Sequence, residues 1–289
     1  MIGIIGIVVV LVMVFGGYLA AGGTMEIILK ALPYEMIMIG GAAIGGFLLG
    51  NDLATIKRTG RDMVSVFKGP RWKASDYHDL LCLLFELIWI ARQNPVAIEE
   101  HIEDPENSSV FAKFPRIRAD QEAVELISDT MRSASMNYDD PMQVEEVLDK
   151  RLDANLQHAL HTSHAVRIVA DALPAIGIVA AVLGIIKTMG SIDQPPAVLG
   201  VYIGGALTGT FLGVFLSYCF VGPIAERMRT IVEEDAHFLT LIREVLVANL
   251  HAHPANICIE VGRQNAPHHF RPSFAELEES MREVKKTAA

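Results

Sequence analysis

Residues 168–223 limit most severely how this chain can fold: two long apolar runs, almost free of charge, joined by the short polar link SIDQPPA. The first, IVADALPAIGIVAAVLGIIKTMG, extends from Ile168 to Gly190; the second, LGVYIGGALTGTFLGVFLSYCFVG, extends from Leu199 to Gly222 and is closed by Pro223. As helices rising about 1.5 Å per residue, each covers roughly 30 Å or more, enough to cross the hydrocarbon core of a bilayer. Both are rich in small residues. At helical spacing Gly177, Ala181 and Gly184 share one face of the first run. On the second, Ala206, Thr210, Gly213 and Ser217 form one stripe, beside another made by Gly205, Gly209 and Gly213. Small faces let helix backbones approach closely, and hydroxyls on such a face need a buried partner or water. Tight packing alone would account for the glycines equally well.

Two more spans precede this hairpin. Residues 2–20 carry no charge, and MIMIGGAAIGGFLLG, residues 36–50, follows a loop AGGTMEIILKALP with Pro33 and Tyr34 leading in. No Lys or Arg precedes the first run and a second span follows closely, which favours a retained helix over a cleaved signal. Gly41 and Gly45, like Gly46 and Gly50, have the small-xxx-small spacing of packed membrane helices. Lys57, Arg58, Arg61, Lys68, Arg71 and Lys73 follow the second span, and Arg227 and Arg229 follow the fourth, whereas the outer links hold only Lys30. The positive-inside rule then puts both termini in the cytoplasm. The resulting expectation is an all-α, polytopic membrane protein with four transmembrane helices and a helical cytoplasmic domain. Its segments are 1–50 (first hairpin), 51–167 (cytoplasmic), 168–223 (second hairpin) and 224–289 (cytoplasmic C-terminal region). Composition agrees, since a chain that is 51% hydrophobic yet 20% charged suits membrane spans joined to a polar domain.

Within the polar segments the pattern is helical. DYHDLLCLLFELIWIARQ follows Ser75, a short helix follows Pro95, and a further run follows Pro115. Asp140 and Pro141 make a cap and first turn for a helix expected to run straight into the third span, and the fourth span is expected to continue inward past Pro223. Two membrane helices thus extend into the cytoplasm. Ser273 and Glu276 form a capping box.

The chemistry expected of an enzyme is missing: there is no P-loop, no nucleophile elbow and no dinucleotide fingerprint. A net charge of −10 argues against nucleic acid. Cys82, Cys219 and Cys258 have neither metal nor disulfide spacing. His158, His161 and His164 recur every three residues, but without a clustered carboxylate or thiol they read as a polar helix surface. Neither a metal nor a cofactor is expected. Asp171 and Lys187 fall near opposite ends of the third span, and no carboxylate is expected in mid-membrane. A conducting assembly would therefore take its titratable acid from another subunit.

The run from Asp171 to Ala225 resembles the third and fourth membrane helices of the MotA family of flagellar motor stator subunits, within the MotA/TolQ/ExbB proton channels. VFGGYLAAGG, ARQNPVAIEEHIEDP, FAKFPRIRAD and IEVGRQNAPHHFRPSFAELEE match the family in the same order, so the resemblance covers essentially the whole chain. It implies a homo-pentamer in the bacterial inner membrane around MotB, a single-span, peptidoglycan-binding partner. Protonation of that partner's aspartate is coupled to rotation against the rotor protein FliG. It also implies that Pro174 and Pro223 occupy functional proline positions, and that Thr210, Ala181 and Tyr218 line the ion pathway. By the same resemblance Arg92 meets the rotor together with an acid, a position that Glu99 and Glu100 both fit. An ExbB/TolQ-type energy-transducing ring and a non-transporting scaffold are the alternatives; four spans with FPRIRAD and RPSFAELEE favour the stator.

Overall fold

The computed structural model describes residues 2–135 and 140–287. Among these the regular structure is helical throughout. In chain order the α-helices are α1 (Ile2–Ala20), α2 (Met25–Gly50), α3 (Leu53–Lys68), α4 (Ala74–Gln93), α5 (Ala97–Glu103), α6 (Pro115–Arg118), α7 (Gln121–Ser135), α8 (Pro141–Met189), α9 (Pro196–Leu216), α10 (Gly222–Leu250), α11 (Ala255–Asn265) and α12 (Phe274–Thr287). A 3₁₀ turn at Phe111–Lys113 and a π-helical turn at Ser217–Val221 complete the series. Among the described residues four helical stretches are long and apolar enough to cross a membrane: Gly3–Ala20, Met25–Gly50, Pro141–Met189 and Pro196–Leu250. The chain divides into two compact units, Met1–Gly69 with Ala159–Ile231, and Pro70–His158 with Val232–Ala289.

In the first unit, α8 and α9 touch backbone to backbone. A Cβ on Gly177 would lie 2.9 Å from the Gly209 carbonyl oxygen and 3.0 Å from the Gly213 Cα. One on Gly213 would lie 2.7 Å from the Leu173 carbonyl oxygen, and one on Gly184 would lie 2.7 Å from the Ala206 Cβ. α2 packs along α9 and buries Glu35, Ile39 and Ala43, a stripe at four-residue spacing. α1 adds its Phe15 ring edge-on to Phe211 and Phe215, at 6.2 and 5.5 Å.

One expectation is overturned here. The loop read from residue 21 through Pro33 is helical from Met25, and the second span begins eleven residues earlier than residue 36. Met25 to Leu32 is made of good helix formers, Lys30 pairs with Glu26 one turn earlier at 2.7 Å, and Pro33 removes a single hydrogen bond from the ladder. The membrane end of α3 is capped by Asp52, which accepts the Thr55 N–H at 3.1 Å. Gly69 ends the helix at φ +83°, a conformation that favours glycine. α3 exposes Leu53, Met63, Val64 and Phe67 beside Lys57, Arg58, Arg61 and Lys68, the composition of a helix lying in a membrane interface. Thr162 of α8 holds it by donating to Asp62 at 2.9 Å.

The second unit is built like a soluble domain. α4 is apolar on nearly every side and buries everything from Leu80 to Ile88, so it must be surrounded. α5, α6, α11 and α12 pack around it. Trp72 stacks on Phe238 at 3.8 Å, and Tyr77 stands edge-on to the same ring. The buried acids of this unit are each met by a basic group: Asp76 by Arg116 at 2.7 Å, Glu86 by Lys113, and Asp120 by Arg71. Arg243 of α10 reaches Glu145 and Asp149 of α8 at 2.7 and 2.9 Å. The two sequence-read caps are present: Asp140 accepts the Met142 N–H at 3.0 Å, and Ser273 and Glu276 exchange hydrogen bonds as a capping box.

Candidate functional site

The five positions that the resemblance assigns to the ion pathway lie on α8, on α9, in the π turn and in the first turn of α10. Pro174 stands inside α8, so the Ala170 carbonyl four residues earlier has no helical N–H to accept. Ser217 Oγ supplies the missing donor across the helix pair, at 2.7 Å. Ser217 also opens the π turn Ser217–Val221, in which the Gly222 N–H reaches back five residues to the Ser217 carbonyl. Pro223 follows directly, and the extra residue of the π turn accommodates a ring that has no N–H of its own to give. The chain therefore passes through Pro223 as one continuous helical stretch, Pro196–Leu250, rather than ending there.

Ala181 is buried, Pro174 and Thr210 are half-buried, and Tyr218 and Pro223 are exposed. The close α8–α9 contact is made by Ala206, Gly209, Gly213 and Ser217, and Thr210 on the same helix is half-buried. The neighbouring Thr208 is buried and spends its hydroxyl on its own helix, donating to the Gly204 carbonyl at 2.9 Å.

Sequence reasoning missed Glu35. It lies within the span of α2 and is 5% exposed, and its buried Oε2 has no hydrogen-bond partner among the described residues. Gly209 makes room for it: a Cβ there would come within 2.6 Å of that oxygen. Reading the second span from residue 36 left Glu35 outside it, whereas the helix that begins at Met25 contains it. The signal that would have found it is the stripe Glu35, Ile39, Ala43, which continues helical spacing upstream of the apolar run.

The positions that the resemblance assigns to rotor contact belong to the second unit. Arg92, in the last turn of α4, directs Nη2 at the Asn249 side chain, at 2.8 Å, and at the His253 carbonyl. Cys258 Sγ donates to the same carbonyl at 3.2 Å. These bonds fix the end of α4 to the end of α10, and they engage one nitrogen of a guanidinium that has five N–H donors. Glu99 and Glu100 sit side by side in the first turn of α5, both exposed. A groove of about 190 Å³ in the same unit is lined by Ile98, Met131 and Leu246. Among the described residues no three His, Cys, Asp or Glu side chains converge as a metal site, His158, His161 and His164 included.

Comparison with known proteins covers nearly the whole chain. Residues 4–95 match the family described as Motility protein A N-terminal, and residues 118–240 match the MotA/TolQ/ExbB proton channel family. The chain is 37% identical over 283 residues to the Motility protein A of Escherichia coli (strain K12), covering 98% of this chain and 95% of that protein. It is 34% identical over 280 residues to the chemotaxis protein LafT of Vibrio parahaemolyticus, covering 96% and 98%. Its fold is similar to a solved structure of C. jejuni MotAB, with a TM-score of 0.73, 18% identity, and coverage of 94% and 98%.

Proposed function

The chain belongs to the motility protein A family, and from that premise we propose that it is the membrane subunit of a flagellar stator, assembling with MotB to couple ion flow to rotation. The whole-length similarity at 37% identity carries this reading. The protein is a membrane transport component and not an enzyme. In this reading five copies surround the MotB helices in the bacterial inner membrane with both termini in the cytoplasm. The basic residues after the second and fourth spans support that orientation. Residues 1–50 and 168–223 then form the membrane part, and 51–167 and 224–289 the cytoplasmic part.

The proton path is assigned to the surface carrying Pro174, Ala181, Thr210, Tyr218 and Pro223. MotB contributes the working aspartate. Glu35 is walled in between α2 and α9, whereas Thr210 is half-exposed, so a partner helix can reach the threonine and not the glutamate. Arg92, with Glu99 or Glu100, meets FliG. A proton crossing about 150 mV releases on the order of 3.5 kcal/mol, which pathway geometry must deliver without stranding the partner's acid.

Two substitutions test the path assignment. Thr210→Val keeps the shape and deletes the hydroxyl; Thr210→Ser keeps the hydroxyl and drops a methyl. A pathway role expects Ser to run and Val to run slowly or not at all, with assembly normal. Motor speed at matched stator number decides, and a Val variant at full speed removes Thr210 from the path. At the level of the whole protein, deletion should leave flagella built but cells unable to swim. An envelope-transport defect with normal swimming would favour an ExbB/TolQ-type ring instead.

A further inference from the structure

In lipid a backbone carbonyl without a donor has no water to turn to, so the gap that Pro174 opens at Ala170 must be closed by protein. The donor comes from the other helix. Ser217 Oγ lies 2.7 Å from the Ala170 oxygen, and the two residues are 3% and 1% exposed. Serine and threonine in a helix ordinarily turn the hydroxyl back on their own preceding turn. Thr188 and Thr208 do so, on the Gly184 and Gly204 carbonyls at 2.8 and 2.9 Å. Ser217 departs from that habit where a vacant acceptor faces it, and the carbonyl one turn before it, on Gly213, already receives its own backbone N–H.

The position matters because Ser217 stands at the junction of α9 with the π turn that leads to Pro223. Its neighbour one turn earlier, Gly213, is the residue in backbone contact with Leu173 and Gly177. One hydroxyl therefore joins the helical gap made by Pro174 to the start of the turn that accommodates Pro223. We propose that Ser217 is a positioning residue that fixes the register of α9 on α8, and through it the placement of Thr210 and Ala181 along the conducting surface. The register part stands on geometry alone; the part concerning conduction rests on the stator reading given above.

The test is a double-mutant cycle in the complex with MotB. Pro174→Ala returns an N–H to the helix, which can then serve the Ala170 carbonyl without help. Ser217→Ala should lower the folded-to-unfolded ratio roughly tenfold when Pro174 is present, and should cost far less in the Pro174→Ala background. Equal cost in both backgrounds overturns the link to the proline. If Pro174→Ala does not assemble, Ser217→Thr and Ser217→Val, alike in shape and different in the hydroxyl, carry the test: Thr should match the parent and Val should behave as Ala. Motor speed at matched stator number is the second readout. Slow motors with Ala or Val and recovery with Thr support positioning. Altered stability with unchanged speed reduces Ser217 to a structural bond. Because the stability cycle does not depend on what the protein drives, failure of the stator reading would leave its outcome intact and distinguishable.

Discussion

The second unit is filled by large side chains, whereas the α8–α9 contact of the first is closed by their absence. Around α4 the fully buried residues include Tyr77, Phe85, Phe111 and Phe238, with leucines between them. Between α8 and α9 the contact is made by Gly177, Gly184, Ala206, Gly209 and Gly213, while Ile178, Val179, Leu183 and Ile186 remain on the outside of the helix. In water, removing apolar surface drives folding and big residues do it best. In lipid the surroundings are as apolar as the protein, so helices gain by close backbone approach and by satisfying polar groups. The same difference shows in the acids: the second unit's buried carboxylates have basic partners, while the Oε2 of Glu35 has none.

Glycine substitutions are the sharpest way to break this contrast. Gly213→Ala sets a methyl 2.7 Å from the Leu173 carbonyl oxygen and 2.8 Å from the Gly177 Cα, which are backbone atoms that yield only if the helices part. Gly262→Ala in the second unit is nominally tighter, 2.3 Å from Val245 Cγ2 and 2.8 Å from Leu81 Cδ2, but those are side-chain ends that can rotate. The expected outcome is loss of the assembled complex for Gly213→Ala, and a folded protein destabilised by about 1–3 kcal/mol for Gly262→Ala. Assembly yield and thermal unfolding in detergent measure both. The reverse order would refute the contrast.

A smaller effect comes from ionisation in the second unit. Burial pushes the Cys82 thiol up to about 11, from an ordinary 9.0. An unfolded chain gives up this proton near pH 9 and the folded one keeps it, so stability falls as pH rises between about 9 and 11. The fall is about 1.4 kcal/mol per pH unit for one group. Unfolding curves of the parent and of Cys82→Ala, compared across that window, should converge as pH increases. Parallel curves would mean that the thiol is not held neutral by burial.

How much of this was legible in the sequence follows from the same physics. The 49-residue α8 could be read because a cap at Asp140–Pro141 is followed by a run without a helix breaker as far as Pro174, inside the third span. The glycine faces were legible too, since spacing alone puts Gly177 and Gly184 together. How the two stripes of α9 share the contact was not, because it draws Ala206, Gly213 and Ser217 from one and Gly209 from the other, a choice set by the helix crossing and not by spacing. Glu35 was hidden by Pro33, which reads as a boundary when local preference is considered and is tolerated when one lost hydrogen bond is weighed against a packed helix. The π turn has no sequence signature beyond Pro223 itself.

The smallest expected effect on folding belongs to Arg92. Exposed charges are worth about 0.2–1 kcal/mol, and its Nη2 already serves Asn249 and the His253 carbonyl. Arg92→Glu should therefore leave insertion and MotB binding intact while reducing torque, with part of the loss recovered by a reciprocal charge change on FliG. Asn249→Ala removes the internal anchor without changing charge. If it reproduces the Arg92→Glu motility defect, Arg92 acts by holding α4 to α10 and not by touching the rotor.

Proton flux into liposomes under an imposed potential, with the chain alone and with MotB, separates an acid that the partner supplies from one that this chain carries. If the α8–α9 surface is a wall for an acid that the partner supplies, flux appears only with MotB. Flux through the chain alone, abolished by Glu35→Gln, would place the working carboxyl in this chain and contradict the account.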